Sequence, residues 1–182
     1  MKVFINPGHA PNGIPDPGAV NPYTGLKESE VARRVGDLVA RYLNQAGVEV
    51  VGVCQDDSLG AVCNAANSLN TDVFISIHCN SATNKAADGT ETYYYHTSEK
   101  GKKLAQCIQS QIVDSLCTND RGIKPAVPGR NGLFVLNNTN AVAVLVELAF
   151  ISNMDDVILL ADNQDDFARA IARGVTDYQQ MR

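Results

Sequence analysis

The sequence lacks an apolar run long enough to cross a membrane. No window approaches the roughly eighteen consecutive apolar residues that a spanning helix needs. The first residues, MKVFINPGH, contain only a short apolar run and then become polar, unlike a signal peptide. We therefore expect no membrane span and no signal peptide in this chain.

An excess of positive charge is also missing. Lysine and arginine number 15 against 20 aspartates and glutamates, which gives a formal net charge of −5. A nucleic-acid-binding domain usually has a basic surface. The charge balance therefore argues against nucleic acid as a partner.

Several common site motifs are absent as well. The five cysteines are odd in number and form no CxxC pair, so neither a zinc ribbon nor a disulfide framework is supported. The sequence contains no GxGxxG, no GK[ST] and no GxSxG. Dinucleotide, P-loop and serine-hydrolase chemistry therefore lack their usual signatures.

What the sequence does contain is the composition of one folded domain. Its 182 residues are 45% apolar and 19% charged, enough to bury a core. Candidate strands alternate with candidate helices, which is typical of α/β proteins. We predict a single α/β domain over residues 1–182, with a mostly parallel central sheet of about six strands and helices on both faces.

The hydrophobic pattern places the individual elements. We predict strands at 3–5, 48–53, 73–78, 90–96, 133–136 and 141–150, helices at 27–46, 58–69 and 98–116, and a final helical region at 153–181. The Gly-, Pro- and Arg-rich segment 121–132 reads as a loop. Lys124 and Arg130 in that loop could line a groove for an anionic polymer, and a solvated loop explains them equally well.

Three ionisable residues lie at or near predicted strand ends. His9 follows the first strand, His78 ends the run VFISIH, and Glu147 interrupts the apolar run AVLVELAF. Ligands of open α/β sheets bind outside the carboxyl ends of the strands. An unpaired carboxylate inside an apolar run would also be costly. These three side chains are therefore candidates for one site.

Helical geometry adds Glu28 to this set. On the predicted helix Glu28 lies in line with the apolar stripe that includes Val31 and Val35, whereas Glu30 lies on the opposite side. Two histidines and a glutamate match the ligands of catalytic zinc, which leaves a fourth position for water. We predict His9, Glu28 and His78 as ligands of one Zn²⁺ and Glu147 as the general base.

Simpler interpretations of these residues remain open. A histidine after a strand is often a hydrogen-bonded structural residue. Glu28 could bind backbone N–H groups at a helix start, and Glu147 could pair with a buried Arg121 or Arg130. His96 fits the rim of a site better than a ligand position.

Five segments together carry a resemblance to a known family. They are INPGH (5–9), GLKESEVA (25–32), AN (66–67), DVFISIHCNSA (72–82) and VLVELAFISN (144–153). The segments 89–95, 101–109, 120–124 and 133–148 add to the match. The chain resembles, over nearly its whole length, the zinc-dependent N-acetylmuramoyl-L-alanine amidases of the Amidase_3 type, which include cell-wall hydrolases such as autolysins and phage endolysins.

The resemblance implies the same four site residues. The family's zinc ligands match His9, Glu28 and His78, and its catalytic glutamate matches Glu147. The implied reaction cleaves the amide between the lactyl group of N-acetylmuramic acid and the L-alanine of the stem peptide in peptidoglycan. We expect Asn80 and Ser81 to contact the substrate.

The sequence departs from the family pattern in the first loop and in the second helix. Asn6 stands where the family usually has aspartate, Ala10 where it has glycine, and the segment 10–20 is longer than usual. This loop bears on how His9 is oriented, since ligating imidazoles usually donate their second N–H to an outer partner. Val62 replaces a common arginine.

Two other functions are compatible with these residues. One is a zinc peptidase that cuts within the stem peptide, and the other is a wall-binding module without activity. The resemblance implies action at the cell wall, outside the cell. Without a signal peptide, the chain is expected to be a phage endolysin, an autolysin released by lysis, or a domain of a longer protein that carries its own wall-binding module.

Overall fold

The strands of the protein form one sheet. The structure, a computed structural model, describes residues 1–131 and 133–181. The strands are β1 (Lys2–Pro7), β2 (Glu49–Val53), β3 (Val73–Asn80), β4 (Thr90–Tyr95), β5 (Asp120–Ala126) and β6 (Val142–Phe150). Within the described residues these six strands lie in the order β2-β1-β3-β6-β4-β5, and only β4 and β6 pair in antiparallel fashion. The predicted mostly parallel α/β sheet is confirmed.

Helices cover both faces of this sheet. They are α1 (Glu28–Gln45), α2 (Leu59–Ser68), α3 (Glu99–Leu116), α4 (Phe134–Asn138), α5 (Met154–Asp162) and α6 (Gln164–Gln180). α1, α3 and α6 pack together over one face, and α2 and α4 pack together over the other. Successive side chains of a strand point to opposite faces, so Ile75 and Ile77 enter one core cluster and Phe74 the other. None of the described helices is long and apolar enough to span a membrane.

The apolar stripe of α1 fixes that helix over the sheet. Val31, Val35 and Val39 follow helical spacing and are fully buried. Burial of each valine side chain contributes on the order of 1.5–3 kcal/mol. The same stripe holds the first residue of the helix, Glu28, against the sheet edge, while Glu30 is exposed as predicted.

Two predicted helix starts are confirmed by their caps. The hydroxyl of Ser98 accepts a hydrogen bond from the backbone N–H of Gly101 at the start of α3. The side chain of Asn153 accepts from the N–H groups of Asp155 and Asp156 at the start of α5. The final helical region then divides at Asn163 into two helices rather than one.

The predicted loop at 121–132 is wrong over its first half. Asp120–Ala126 forms β5, which pairs in parallel with β4 at the sheet edge. An edge strand has a free side, so it accommodates the missing N–H of Pro125. Gly122 has a positive φ of 75°, and the β4–β5 register shifts opposite it. The last residue of the predicted loop, Gly132, lies outside the described residues.

The predicted strand at 133–136 is also wrong. Phe134–Asn138 forms the short helix α4, which packs on α2 and buries Val135 and Leu136. Four consecutive apolar residues fit a buried strand or one apolar turn of helix equally well. Packing against α2, where Val62 is buried, favours the helical turn.

The carboxylate of Asp156 ties the site end of the sheet to α5. Asp156 is 8% exposed, and its Oδ2 accepts hydrogen bonds from the backbone N–H of Gly89 at 2.9 Å and of Phe150 at 2.7 Å. These two N–H groups flank the antiparallel β4–β6 pair. Asp156 thus joins the start of β4 and the end of β6.

We predict that Asp156→Ala destabilises the protein by about 2–4 kcal/mol, because two buried N–H groups lose their acceptor. Urea unfolding followed by circular dichroism measures this difference. Asp155→Ala is the matched control, since it removes an exposed neighbouring charge and should cost less than about 1 kcal/mol. Equal losses for both variants would contradict the role given to Asp156.

Candidate metal centre

Three side chains from three elements meet at the carboxyl edge of β1 and β3. His9 follows β1, Glu28 begins α1 and His78 lies near the end of β3. One donor atom of each residue lies within 4.8 Å of the other two. Glu28 Oε1 is 2.9 Å from His9 Nε2 and 2.9 Å from His78 Nδ1. The structure brings together the three residues that the sequence predicts as ligands.

The donor atoms fit a zinc ion in type and spacing. Two imidazole nitrogens and a carboxylate oxygen occur together in catalytic zinc sites. Ligands about 2.0–2.2 Å from a tetrahedral ion lie roughly 3.3 Å from one another. Because the donors already lie within 4.8 Å of one another, small side-chain movements are enough to hold the ion.

Two glycines make room for these side chains. A Cβ atom on Gly8 would lie 2.3 Å from Cε1 of His78. A Cβ atom on Gly18 would lie 2.6 Å from Cδ2 of His9 and 2.7 Å from Oε2 of Glu28. Gly18 also has a φ of +68°, which side chains rarely tolerate. Larger residues at these positions would displace the candidate ligands.

The longer first loop supplies an outer partner for His9. His9 itself has a positive φ of 65°, a conformation that is uncommon outside glycine. Its Nδ1 donates to Oδ2 of Asp16 at 2.7 Å, and Oδ1 of Asp16 accepts from the N–H of Gly18 at 2.9 Å. The bond to Asp16 turns Nε2 of His9 toward Glu28. Asp16 is not among the residues that the sequence predicts for the site; the longer loop and the need of a ligating imidazole for a partner were its only signals.

The substitution at Asn6 has a structural effect. Asn6 is buried, and its Nδ2 donates to the carbonyl of Cys54 while its Oδ1 accepts from Ser76 Oγ. An ionised aspartate could not donate to that carbonyl. Asn6 thus links β1 to the chain after β2 and to β3.

Glu28 is held as an anion. Besides the two histidines, it accepts hydrogen bonds from the backbone N–H of Ala19 at 2.9 Å and of Cys79 at 3.0 Å. Burial alone would raise the pKa of Glu28, but the bonds to His78 and His9 outweigh it and hold the pKa well below its usual range. Burial alone would lower the pKa of His9, yet Glu28 and Asp16 raise it to about 9. The simpler interpretation of Glu28 holds in part: it does bind backbone N–H groups, but those of Ala19 and Cys79 rather than those of the helix start.

Glu147 lies beside this cluster. In the sheet register it lies between His78 on β3 and Glu91 on β4. The side chain is partly accessible, but its Oε2 atom is buried and, among the described residues, has no hydrogen-bond partner. Burial is the main cause that raises the pKa of Glu147 to about 7; the charges of Glu28 and Glu91 act in the same direction, and His78 opposes them.

The arginine pairing considered for Glu147 is wrong. Arg121 donates from Nε to Oε2 of Glu91 at 2.9 Å, and its guanidinium lies over the ring of Phe150. Oε1 of Glu91 accepts from Nδ2 of Asn80 at 2.9 Å and from the hydroxyl of Tyr93 at 2.8 Å. The buried Glu91 takes the arginine because it lies on β4, next to β5. Glu91 is not among the residues that the sequence predicts for the site; its position in the predicted strand at 90–96 was its only signal.

The remaining predicted residues do not join the three candidate ligands. The side-chain amide of Asn80 donates to Glu91, and its Oδ1 accepts a hydrogen bond from the backbone N–H of Ser81. Ser81 is exposed in the loop after β3. His96 lies against the ring of Tyr95 and does not belong to the cluster of candidate ligands found in the described residues.

Comparison with known proteins gives the family. Residues 3–177 match Amidase_3, described as N-acetylmuramoyl-L-alanine amidase. The chain belongs to this family. The amidase structure from Clostridium difficile 630 is 32% identical, with a TM-score of 0.89 over 100% of this chain and 97% of that chain. The catalytic domain of CwlV from Bacillus (Paenibacillus) polymyxa is 31% identical, with a TM-score of 0.85 over 100% and 99% of the two chains.

Relatives of this Amidase_3 chain differ in length. N-acetylmuramoyl-L-alanine amidase LytC of Bacillus subtilis is 37% identical over 97% of this chain, which spans only 35% of LytC. YqiI of the same organism is 36% identical over 97% of this chain, which spans 84% of YqiI. The endolysin of Bacillus phage SPP1 is 31% identical over 94% of this chain and 62% of its own length.

The raised pKa of Glu147 predicts a pH-dependent cost in stability. In the unfolded chain Glu147 ionises near 4.5, whereas in the folded, metal-free protein it ionises near 7. The folded state therefore binds more protons than the unfolded state between these pH values. Because of this group, the free energy of unfolding falls as pH rises from 4.5 to 7, and the loss stays constant above pH 7. We predict that Glu147→Gln makes the metal-free protein more stable by about 1–2 kcal/mol at pH 8 and leaves it unchanged at about pH 4.

Chemical denaturation of chelator-treated protein at both pH values measures this effect. Glu30→Gln is the matched control, because Glu30 is an exposed glutamate and its replacement should change the free energy of unfolding little at either pH. A stability difference for Glu147→Gln that is the same at both pH values would contradict the assigned pKa.

Proposed function

We propose that this chain hydrolyses peptidoglycan as a zinc-dependent N-acetylmuramoyl-L-alanine amidase that acts at the cell wall. The bond cleaved is the amide between the lactyl group of N-acetylmuramic acid and the L-alanine of the stem peptide. One observation carries the proposal: three donor atoms of His9, Glu28 and His78 lie within 4.8 Å of one another, beside an Oε2 of Glu147 to which no described residue donates a hydrogen bond. Membership of the amidase family supports the choice of bond.

The candidate ligands are arranged to hold and orient a metal. Nε2 of His9, Oε1 of Glu28 and Nδ1 of His78 are the atoms that would hold zinc. Zinc, when bound, supplies a Lewis acid that polarises a carbonyl and lowers the pKa of a water molecule. Asp16 keeps the N–H of His9 on Nδ1, which leaves Nε2 as the free donor. The N–H groups of Ala19 and Cys79 keep the Glu28 carboxylate from rotating.

Glu147 is the group that moves the proton. As a carboxylate, its Oε2 accepts a proton from the attacking water, and no other hydrogen bond of the described residues competes for that atom. The same proton then goes to the nitrogen of the departing L-alanine, so the amide C–N bond breaks with a neutral amine leaving. A pKa raised to about 7 suits both steps, since the group accepts and releases a proton near neutral pH.

We predict that Glu147→Ala retains zinc and loses at least about 100-fold in activity, the usual contribution of general acid–base catalysis. His78→Ala should lose both zinc and activity, because two protein donors hold the ion far less well than three. Zinc content by elemental analysis and mass spectrometry of fragments from purified peptidoglycan measure the two properties.

The masses of the fragments separate the alternatives. Free stem peptides that begin with L-alanine, seen with the wild type alone, would support the amidase together with the base. Cuts inside the peptide would indicate a zinc peptidase instead. No products from zinc-loaded protein that binds the wall would favour a binding module, and near-normal turnover by Glu147→Ala would contradict the role given to Glu147.

We also predict that Asp16→Asn weakens zinc binding about 10- to 100-fold, the usual effect of losing an outer partner of a ligating histidine. Competition with a fluorescent chelator measures the affinity without any turnover. Asp57→Asn, in the exposed turn after β2, is the control with the same charge change. Unchanged affinity in Asp16→Asn would show that Asp16 does not support His9.

A further inference from the structure

A groove on the sheet face that carries Glu147 contains two cationic side chains. It encloses about 430 Å³ between β4, β5 and the chain that follows β5. Its lining residues, called here the cationic groove, are Tyr93, Lys124, Pro125, Val127, Arg130 and Asn131. None of these lining residues is acidic, although the chain as a whole has a formal charge of −5.

The charges of Lys124 and Arg130 are not balanced within the protein. Over residues 1–131 and 133–181, no ion pair within 4.0 Å involves either side chain. Arg121, only three residues before Lys124, pairs instead with the buried Glu91. An anion that enters the groove therefore meets two cations without displacing a carboxylate.

Sheet register relates the groove to the site. Glu147 is the register partner of Glu91, and Tyr93 is the register partner of Lys124. Residues two apart on a strand share a face, so Glu91 and Tyr93 point to the same side as Glu147, and Lys124 does too. The Tyr93 hydroxyl donates to Glu91 and lies between the two regions. The cationic groove and the candidate metal centre thus share one surface.

The separation corresponds to a short peptide. Lys124 lies two strands across and two residues along from Glu147, which is about 12 Å between Cα atoms for strands about 4.8 Å apart and a rise of about 3.3 Å. An extended peptide covers that distance in about three to four residues. The lysine side chain spans several ångströms of this distance, so the ammonium group of Lys124 can contact the second or third residue after the cleaved bond.

The groove lies at the margin of the helices that cover this face. α2 and α4 pack over Phe74 and Leu145, which belong to the part of the sheet from β1 to β6. α4 also contacts β4, and Ala126 at the end of β5 is buried in the same cluster. Tyr93 and Lys124 stay partly exposed beside these contacts and line the groove. A peptide that leaves Glu147 along β4 therefore passes over Tyr93 toward Lys124.

We propose that Lys124 and Arg130 bind a free carboxylate on the second or third residue of the stem peptide, so that the enzyme prefers this carboxylate over the corresponding carboxamide. The inference rests on the proposed function, because it takes the stem peptide as the ligand. Arg130 offers paired N–H donors for a carboxylate, and Lys124 adds a second positive charge. A neutral carboxamide forms no ion pair with either side chain.

Two muramyl tripeptides test the preference. In both, the second residue is a glutamate joined to the third through its γ-carboxyl group, and they differ only in whether its α-carboxyl group is free or amidated. The third residue is an alanine with an amidated C-terminus, so that the peptide carries no other carboxylate. For the zinc-loaded wild type we expect kcat/KM to be about tenfold higher for the free acid, mainly through KM. The double variant Lys124→Gln/Arg130→Gln should cleave the carboxamide as before and prefer the acid less than twofold.

The control variant removes the same charge elsewhere. Lys102→Gln/Lys103→Gln changes two lysines of α3 and should keep the tenfold preference. Melting temperatures of both double variants check that folding is unchanged. A wild type without preference, or a groove variant that keeps it, would overturn the inference.

A binding measurement separates this inference from the proposed function. The free tripeptides that begin with L-alanine contain no lactyl amide, so calorimetry measures their affinity without cleavage. Tighter binding of the acid by the wild type, abolished by Lys124→Gln/Arg130→Gln, would support the groove even if neither muramyl substrate were cleaved. Cleavage of both substrates at equal rates, with equal binding of both tripeptides, would leave the amidase standing and overturn the groove.

Discussion

The buried carboxylate of Glu28 is the constraint on which the site depends. Glu28 is 4% exposed, and an ionised group so placed needs strong partners. It has four: the imidazoles of His9 and His78 and the N–H groups of Ala19 and Cys79. These partners come from the first loop and from the end of β3. One carboxylate thereby fixes the relative positions of two segments far apart in sequence.

The main parts of the fold and site could be predicted because they depend on local patterns. The β-branched run of β3 and the apolar stripe of α1 specify their elements directly. Since parallel strands present their carboxyl ends at one edge, His9 and His78 had to lie near each other. Glu28 follows from its alignment with the buried stripe of α1. Such positions need no knowledge of loop conformation.

Other features depend on tertiary contacts that leave no local pattern. Asp16 reaches His9 only because the long first loop folds back over it. The run at 133–136 forms a helix because α2 offers a surface for one apolar turn. Glu91 becomes the partner of Arg121 because β4 runs antiparallel to β6 and parallel to β5. In each case the decisive neighbour is distant in sequence.

The two central glutamates, Glu28 and Glu147, have opposite surroundings. Glu28 has donors on both oxygens, so it stays ionised and fixed, as its proposed role as a metal ligand requires. Glu147 keeps one buried oxygen free, and its burial raises its pKa to about 7, which suits a group that binds a proton and gives it up again. Exchanging these surroundings would abolish both properties. Donors on Glu147 would hold it as an anion, and the loss of donors from Glu28 would let it take up the proton. The two environments therefore assign different roles to chemically identical side chains.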